Sequence, residues 1–175
     1  MTSADDGAAP PSLRRRMAAF VYEGVLLFGV LMVAGLLYGL VTQQRHALVG
    51  MHGLQAFLFV VLGLYFAGFW SHGGQTVAMK TWHIRVLTKD GLPVPAGRAV
   101  LRYLWSWLWF LPALAWSWAA GVRSGGMVAL ALALGVLVYA LSSRFNKQRQ
   151  FWHDLLSGTK LVQSRPPLRR GEPAR

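Results

Sequence analysis

The sequence has no cysteine, and it is poor in charged residues. The absence of cysteine excludes disulfides, thiolate catalysis and cysteine-ligated metal sites, and it leaves the redox compartment open. Charged residues make up 14% of the 175 positions, against about 25% in a typical soluble domain. Hydrophobic residues make up 54%. This balance indicates a chain embedded in a lipid bilayer, without enough remaining length for a separate soluble enzyme domain.

Four apolar stretches are long enough, or nearly so, to cross the hydrocarbon core, which takes about 20 helical residues. They lie at about residues 17–41, 51–70, 100–120 and 127–143. The first stretch exceeds the apolar core of a signal peptide, about 7–15 residues, so we expect a retained helix. Pro112 lies within the third stretch and is expected to kink it. The pattern predicts an all-α membrane protein with a four-helix transmembrane bundle.

Acidic residues are scarce: there are 6 of them, against 18 Lys and Arg, and the net charge is +12. The basic residues flank the apolar stretches instead of forming one amphipathic face, which argues against nucleic-acid binding. The two short loops after the first and third stretches hold only Arg45 and Arg123, and the other 16 lie on the opposite side. Because Lys and Arg are retained on the cytoplasmic side, we predict a multi-pass protein of the bacterial inner membrane with both termini cytoplasmic. Anionic lipids are the expected partners of this basic face.

Two short segments on the predicted cytoplasmic side have the pattern of strands. Polar and apolar residues alternate over residues 81–86, before a turn signal at 89–91. A second strand-like segment follows at 159–162. The two segments predict a short two-stranded β-ribbon, which needs packing against helix ends to be stable. Residues 148–156 are expected to continue the fourth helix or to lie along the bilayer surface.

The chain therefore divides into one membrane domain and two polar tails. The membrane domain covers residues 13–163. Residues 1–12 and the basic segment 164–175 have few apolar residues that could be buried, and we predict that both are disordered.

Glu23 is the only acidic residue inside a predicted span, where an ionised side chain is costly, about 2.5–3.5 kcal/mol at the bilayer centre. It follows Arg16 by seven residues, nearly two helical turns, so the two share a face that we expect to point into the bundle. Asp154 is the other acidic residue near the inner leaflet. Arg16, Glu23 and Asp154 form the predicted ion-binding or relay cluster, and Arg85 and Arg149 are alternative cationic partners. A structural ion-pair network that holds the first helix to the C-terminal segment is an equal alternative.

His153 is next to Asp154 and is an accessory candidate for proton transfer, although neighbouring side chains on a helix point about 100° apart. No histidine has metal-ligand spacing with another ligand, and no nucleophile–base motif or phosphate-binding loop occurs. We therefore predict no metal, no cofactor and no enzymatic activity. The five tryptophans over residues 105–118 fit interface anchoring and packing better than a cofactor site.

Two small-xxx-small pairs lie inside predicted spans: Gly35 with Gly39, and Gly63 with Ala67. Such pairs let helix backbones approach closely. Packing within one bundle explains them best, and a contact between copies of the chain in a homo-oligomer is the alternative.

Three patches of the sequence together resemble the RDD family of small membrane proteins. They are Arg16–Glu23, similar to that family's Arg-x-x-Ala-x-x-x-Asp; Gly74–Thr76 with Met79–Val86 and Asp90-Gly91; and His153–Thr159, similar to His-Asp-x-x-Ala-Gly-Thr. The resemblance covers about residues 13–163 and carries the family's Arg and two Asp onto Arg16, Glu23 and Asp154. This chain departs from the pattern at Glu23, where the family has Asp, and at Ser157, where it has Ala. Some family members are linked to sodium–proton exchange, which the resemblance implies as an expectation here.

Two functions fit these features. The first is a small ion or solute transporter that uses the Arg/Glu/Asp cluster near the cytoplasmic leaflet. Because four helices make a thin bundle, a pathway would need a second subunit. The second is a non-transporting scaffold or accessory subunit, in which the cluster is structural and the basic face meets a partner or anionic lipid.

Overall fold

The computed structural model describes residues 10–43, 51–146 and 148–164, and most of them are helical. The elements in chain order are α1 (Leu13–Thr42), α2 (Met51–Ser71), α3 (Val77–Thr81), β1 (Ile84–Thr88), α4 (Ala96–Ser106), a 3-10 helix (Trp107–Trp109), α5 (Leu111–Ala119), α6 (Gly125–Ser142), α7 (Trp152–Leu156) and β2 (Thr159–Gln163). Of the predicted disordered tails, residues 1–9 and 165–175 lie outside the described residues. Ser12, at the end of the first of these tails, caps α1 by accepting a hydrogen bond from the Arg15 amide.

Three of the described helices, α1, α2 and α6, are long and apolar enough to cross a membrane. In each of these helices, only 6% of the most apolar 18-residue stretch is buried inside the protein. Large side chains such as Phe28, Leu36, Leu64 and Leu137 are more than half exposed. A helix that is apolar on all sides and unburied by its own chain is typical of a helix in contact with lipid.

The third predicted span is not one continuous helix. α4 ends at Ser106, the 3-10 helix follows, and α5 begins at Leu111 with Pro112 in its first turn. Proline has no N–H and its ring clashes with the carbonyl four residues earlier, so it is best tolerated where a new helix starts. The kink expected at Pro112 is therefore replaced by a break just before it. Four crossings remain a prediction.

The predicted β-ribbon is confirmed. β1 and β2 pair antiparallel, with Ile84 opposite Gln163, and Val86 and Val162 are almost fully buried. α6 does not continue into the ribbon, because it ends at Ser142 and the short helix α7 leads into β2.

Three helix ends lie close to the ribbon, on one side of the molecule. β1 follows the C-terminal end of α2, and β2 follows the C-terminal end of α6 through α7. The N-terminal part of α1 packs against α3, and Ala19 of α1 joins Ile84, Phe151 and Leu161 in the buried core. The buried charged residues of the described chain lie on α1, α4 and α7.

Candidate functional site

Glu23 lies on the buried face of α1 and connects three elements. The Tyr65 hydroxyl of α2 donates a hydrogen bond to Oε1 at 2.6 Å, and the Thr76 hydroxyl donates to Oε2. Thr76 is also the N-cap of α3, where its Oγ1 accepts a hydrogen bond from the Met79 amide at 3.2 Å. Two neutral donors therefore hold the carboxylate, and no described Lys or Arg forms an ion pair with it.

Asp154 is fully buried on α7 and pairs with Arg102 of α4. Nη2 and Nε of Arg102 both donate to Oδ1, at 2.6 and 3.0 Å. The same guanidinium lies over the ring of Trp70, with Cζ 4.1 Å from the ring centroid. Oδ2 of Asp154 is buried without a hydrogen-bond partner. The pair ties α4 to α7 close to the ribbon.

His153 completes this site from α7 and is 4% exposed. Its Nε2 lies 3.4 Å from Oδ1 of Asp154 and 3.4 Å from Nη2 of Arg102, and its Nδ1 lies 3.0 Å from the Tyr139 hydroxyl. Burial above all, together with the positive charges of Arg102 and Arg16, lowers the pKa of His153 to about 4, and Asp154 opposes this shift. His153 is therefore neutral at pH 7.

Arg16 differs from the other buried charges because its donors lack hydrogen-bonded partners. The residue is 6% exposed, and its guanidinium lies over Phe151, with Cζ 4.3 Å from the ring centroid. Nε and Nη1 are buried and have no hydrogen-bond partner among the residues that the structure describes. A buried donor left in this state costs about 1–3 kcal/mol, and more when it is charged.

A cavity of about 330 Å³, which we call the central cavity, lies between these residues. Arg16, Glu23, Arg102 and His153 reach its wall. The rest of the wall is mainly aromatic and aliphatic, and includes Phe20, Leu62, Phe66, Trp70, Trp107 and Phe110. Small-molecule sites have volumes of roughly 300–1,000 Å³, apolar walls and a few placed polar groups. The central cavity has these properties.

Comparison with known proteins gives the family. The model described as RDD family matches residues 10–158, which is most of the chain. The chain belongs to the RDD family. RDD proteins are membrane proteins, so the family confirms the prediction made from composition. No curated protein and no solved structure matches the chain.

The three residues onto which the RDD pattern falls are all buried in this RDD protein, but they are not hydrogen-bonded to one another. Glu23 uses Tyr65 and Thr76, and Asp154 uses Arg102. Arg16 and Glu23 lie on the same buried face of α1 and both reach the central cavity. Glu23 thus has hydroxyl partners, Asp154 has an ion-pair partner and Arg16 lies over Phe151, and their role as an ion-binding or relay cluster stays a prediction.

The two arginines predicted as alternative partners do not pair with Glu23. Successive side chains of a strand point to opposite faces, so Arg85 faces away from the buried Ile84 and Val86, and its Nε donates to the Gly73 carbonyl at 3.2 Å. Arg149 is exposed, with a left-handed backbone conformation.

Four residues of the site were not singled out from the sequence: Tyr65, Thr76, Arg102 and Tyr139. In the sequence, Arg102 resembles one of the charges that flank a span. A signal for its burial exists, because Ala99, Arg102 and Tyr103 are spaced three and four apart and are the buried residues of α4. Thr76 stands in the second family patch, at the N-cap position of a short helix.

The two glycine pairs have different surroundings. A Cβ added at Gly63 would lie 3.1 Å from the ring of Tyr103, and Ala67 packs against the core, so this pair serves packing within the chain. A Cβ added at Gly35 or Gly39 would meet nothing within 4 Å. Among the described residues nothing fills the space beside these two glycines, so another molecule can contact α1 there.

The acidic groups of the site are both engaged by donors from the protein itself. No group of three or more His, Cys, Asp or Glu that could hold one occurs in the described ranges. Glu23 has both oxygens engaged by hydroxyl donors, and Asp154 is already paired with Arg102. Among the described wall residues, the buried polar atoms without a partner are therefore donors, those of Arg16 and the Nε1 of Trp70.

Proposed function

We propose that this RDD protein is a small transporter of an ion or solute in the bacterial inner membrane, and that its binding site is the central cavity. The observation that carries the proposal is the position of Arg16, Glu23, Arg102 and His153 on the wall of one cavity. Ionisable groups are costly within a membrane domain, and they typically face a cavity or a substrate pathway there. We propose transport and no enzymatic reaction.

Glu23 is the residue that we propose to couple ion movement to the cavity. Its two partners are hydroxyls, which can accept as well as donate hydrogen bonds. Protonation of the carboxylate, or the arrival of a cation, would therefore rearrange the bonds from Tyr65 and Thr76 without breaking an ion pair. Because the family resemblance implies sodium–proton exchange, Na⁺ and H⁺ are the first ions to test.

Flux in proteoliposomes tests this proposal directly. Purified protein would be reconstituted and given a Na⁺ or H⁺ gradient, with wild type compared with Glu23→Gln. Asp90→Asn is the matched control, since it removes a carboxylate from an exposed turn. We expect flux in wild type and Asp90→Asn and its loss in Glu23→Gln. Equal flux in wild type and Glu23→Gln would contradict the proposal.

We further propose four crossings with both termini cytoplasmic. α2 and α6 both end at the ribbon, so a membrane-spanning α6 requires that the chain first cross in the opposite direction between β1 and α6. α4, the 3-10 helix and α5 contain 11, 3 and 9 residues. That is enough to span a hydrocarbon core of roughly 30 Å. The distribution of Lys and Arg favours the ribbon side as cytoplasmic.

Cysteine labelling tests this orientation, because the chain has no native cysteine. Asp90→Cys lies in the turn after β1, and Arg123→Cys lies between α5 and α6. In intact cells, a membrane-impermeant maleimide should label Arg123→Cys, and it should label Asp90→Cys only after lysis. The opposite pattern, or equal labelling in intact cells, would overturn the proposed topology.

A scaffold or accessory role is the second candidate, because the polar bonds of the site join separate elements. Glu23 joins α1 to α2 and α3, and Asp154 joins α7 to α4. In this case the basic face would bind a partner protein or anionic lipid. Purification of the tagged protein in mild detergent is the test: a stoichiometric partner, without flux that depends on Glu23, would favour the scaffold.

A further inference from the structure

Arg16 offers the central cavity a charge with unused hydrogen-bond donors. The residue is only 6% exposed, and its Nε and Nη1 have no partner in the described part of the chain. Arg102, the other arginine at the cavity, donates twice to Asp154. Among the described residues, Arg16 forms no ion pair. A ligand with acceptor oxygens, and above all an anion, can accept hydrogen bonds from such a guanidinium.

The rest of the cavity is unsuited to a small hydrophilic anion. Its wall is mostly apolar, with the rings of Phe20, Phe66, Trp107 and Phe110 among its members. Desolvating a fully polar ion against such a wall would be costly. A ligand with an apolar body, by contrast, gains free energy in proportion to the apolar area that it buries.

The charges around the cavity do not repel an anion strongly. Asp154 is neutralised by Arg102, and His153 is neutral at pH 7. The neutral hydroxyls of Tyr65 and Thr76 do not cancel the charge of a carboxylate at Glu23, but the positive charge of Arg16 on the same wall offsets it. Among the described residues of the wall, the buried donors without a partner are those of Arg16 and the neutral Nε1 of Trp70, so Arg16 supplies the charged donors.

We propose that the central cavity binds an amphipathic monoanion, with its anionic head on Arg16 and its apolar body against the aromatic wall. The inference rests on the proposed function in one respect, namely that this ligand is the transported solute. The same chemistry is present in a free carboxylate from the aqueous phase and in an anionic lipid of the bilayer.

Binding of octanoate to the full-length protein tests the inference. The protein would be held in nanodiscs of zwitterionic lipid, and the fluorescence of Trp70, Trp107 and Trp109, which line the cavity, would report occupancy. 1-Octanol has the same apolar body without charge, and octyltrimethylammonium has the opposite charge. We expect saturable binding of octanoate only. The same response to all three compounds would overturn the proposal.

Variants locate the site. Arg16→Gln should weaken octanoate binding roughly 10- to 100-fold, as expected for the loss of hydrogen bonds from a charged group. Arg14→Gln, which removes an exposed charge two residues earlier on the same helix, should bind like wild type. Wild-type affinity in Arg16→Gln would contradict the assignment.

Gly24→Leu is a second variant that tests the same site if Arg16→Gln does not fold. Gly24 lines the cavity, and an added Cβ would meet nothing within 4 Å. Leucine also favours the helix more than glycine does. This variant should fold and weaken octanoate binding, because it adds a bulky side chain to the cavity wall. Unchanged affinity in a folded Gly24→Leu protein would place the ligand elsewhere and overturn the proposal.

The lipid composition distinguishes the two sources of the ligand. If an anionic lipid occupies the cavity, octanoate affinity should fall in nanodiscs that contain phosphatidylglycerol, and unchanged affinity would identify the free carboxylate. The inference and the proposed function can also fail separately. If octanoate binds in an Arg16-dependent way but no flux is seen, only the transport proposal is contradicted. If flux depends on Glu23 but octanoate does not bind, only this inference is contradicted.

Discussion

Arg102 donates two hydrogen bonds to a single oxygen of Asp154, although the two residues are 52 positions apart in the chain. Arg102 belongs to α4, which follows β1, and Asp154 belongs to α7, which precedes β2. The strands β1 and β2 are themselves paired. The ion pair is therefore a second connection between two segments that the ribbon already joins, and it fixes how α4 sits against the ribbon.

Removing one member of this pair should be strongly destabilising. Arg102→Met leaves the buried Asp154 carboxylate without its cation, and such a loss costs about 3–5 kcal/mol. The double variant Arg102→Met/Asp154→Leu should recover much of this loss, because neither charge then remains. Chemical unfolding in detergent gives the free energies. Arg98→Met, an exposed position one turn earlier, should change stability by only about 0.5 kcal/mol. Equal stability of Arg102→Met and Arg98→Met would show that the pair contributes nothing.

Glu23 should not be replaceable by the aspartate of the family pattern without loss. The shorter side chain of Glu23→Asp cannot reach the hydroxyls of Tyr65 and Thr76 together from the same position on α1. A buried donor left without its partner costs about 1–3 kcal/mol. Glu23→Gln keeps the length and retains a carbonyl acceptor, so we expect a smaller loss of unfolding free energy. A Glu23→Asp protein at least as stable as Glu23→Gln would refute this account.

Acid should destabilise the protein through His153. The pKa of histidine is 6.5 in the unfolded chain and falls to about 4 for the folded, buried His153. Between these values the unfolded state binds more protons, so the contribution is complete above about pH 6.5 and is lost as the pH falls towards 4. The difference corresponds to roughly 3 kcal/mol. Unfolding measured from pH 7.5 to 4 should show this loss in wild type and in His72→Gln, an exposed control. His153→Gln should lack it, and an unchanged pH dependence in that variant would exclude His153 as the cause.

The sequence predicted what depends on composition and short-range pattern, and missed what depends on distant pairing. Low charge and long apolar stretches indicated the membrane, and alternation over residues 81–86 indicated β1. The spacing within α4 indicates that Arg102 is buried, but the pairing with Asp154 leaves no local trace, because the partner lies 52 positions away in the chain. The break before Pro112 was also missed, since Trp107–Phe110 are as apolar as their neighbours and hydropathy runs through them without interruption.

The two glycine pairs give a last prediction, about packing within and between chains. Gly63→Leu should destabilise the fold by about 1–3 kcal/mol, the usual cost of overpacking, because an added Cβ already lies 3.1 Å from the ring of Tyr103. That ring cannot easily move, since the Tyr103 hydroxyl donates to the Phe59 carbonyl at 2.7 Å.

Gly35→Leu is the matched variant on α1, where the added side chain meets open space. It should therefore leave the unfolding free energy of the single chain near that of wild type. If copies of the chain associate through the Gly35 and Gly39 surface, the same variant should shift the protein from dimer to monomer in light scattering of the detergent complex. A dimer that persists in Gly35→Leu and in Gly39→Leu would exclude this surface as the contact, whereas a loss of folding in Gly35→Leu would show that the glycine is needed within the chain itself.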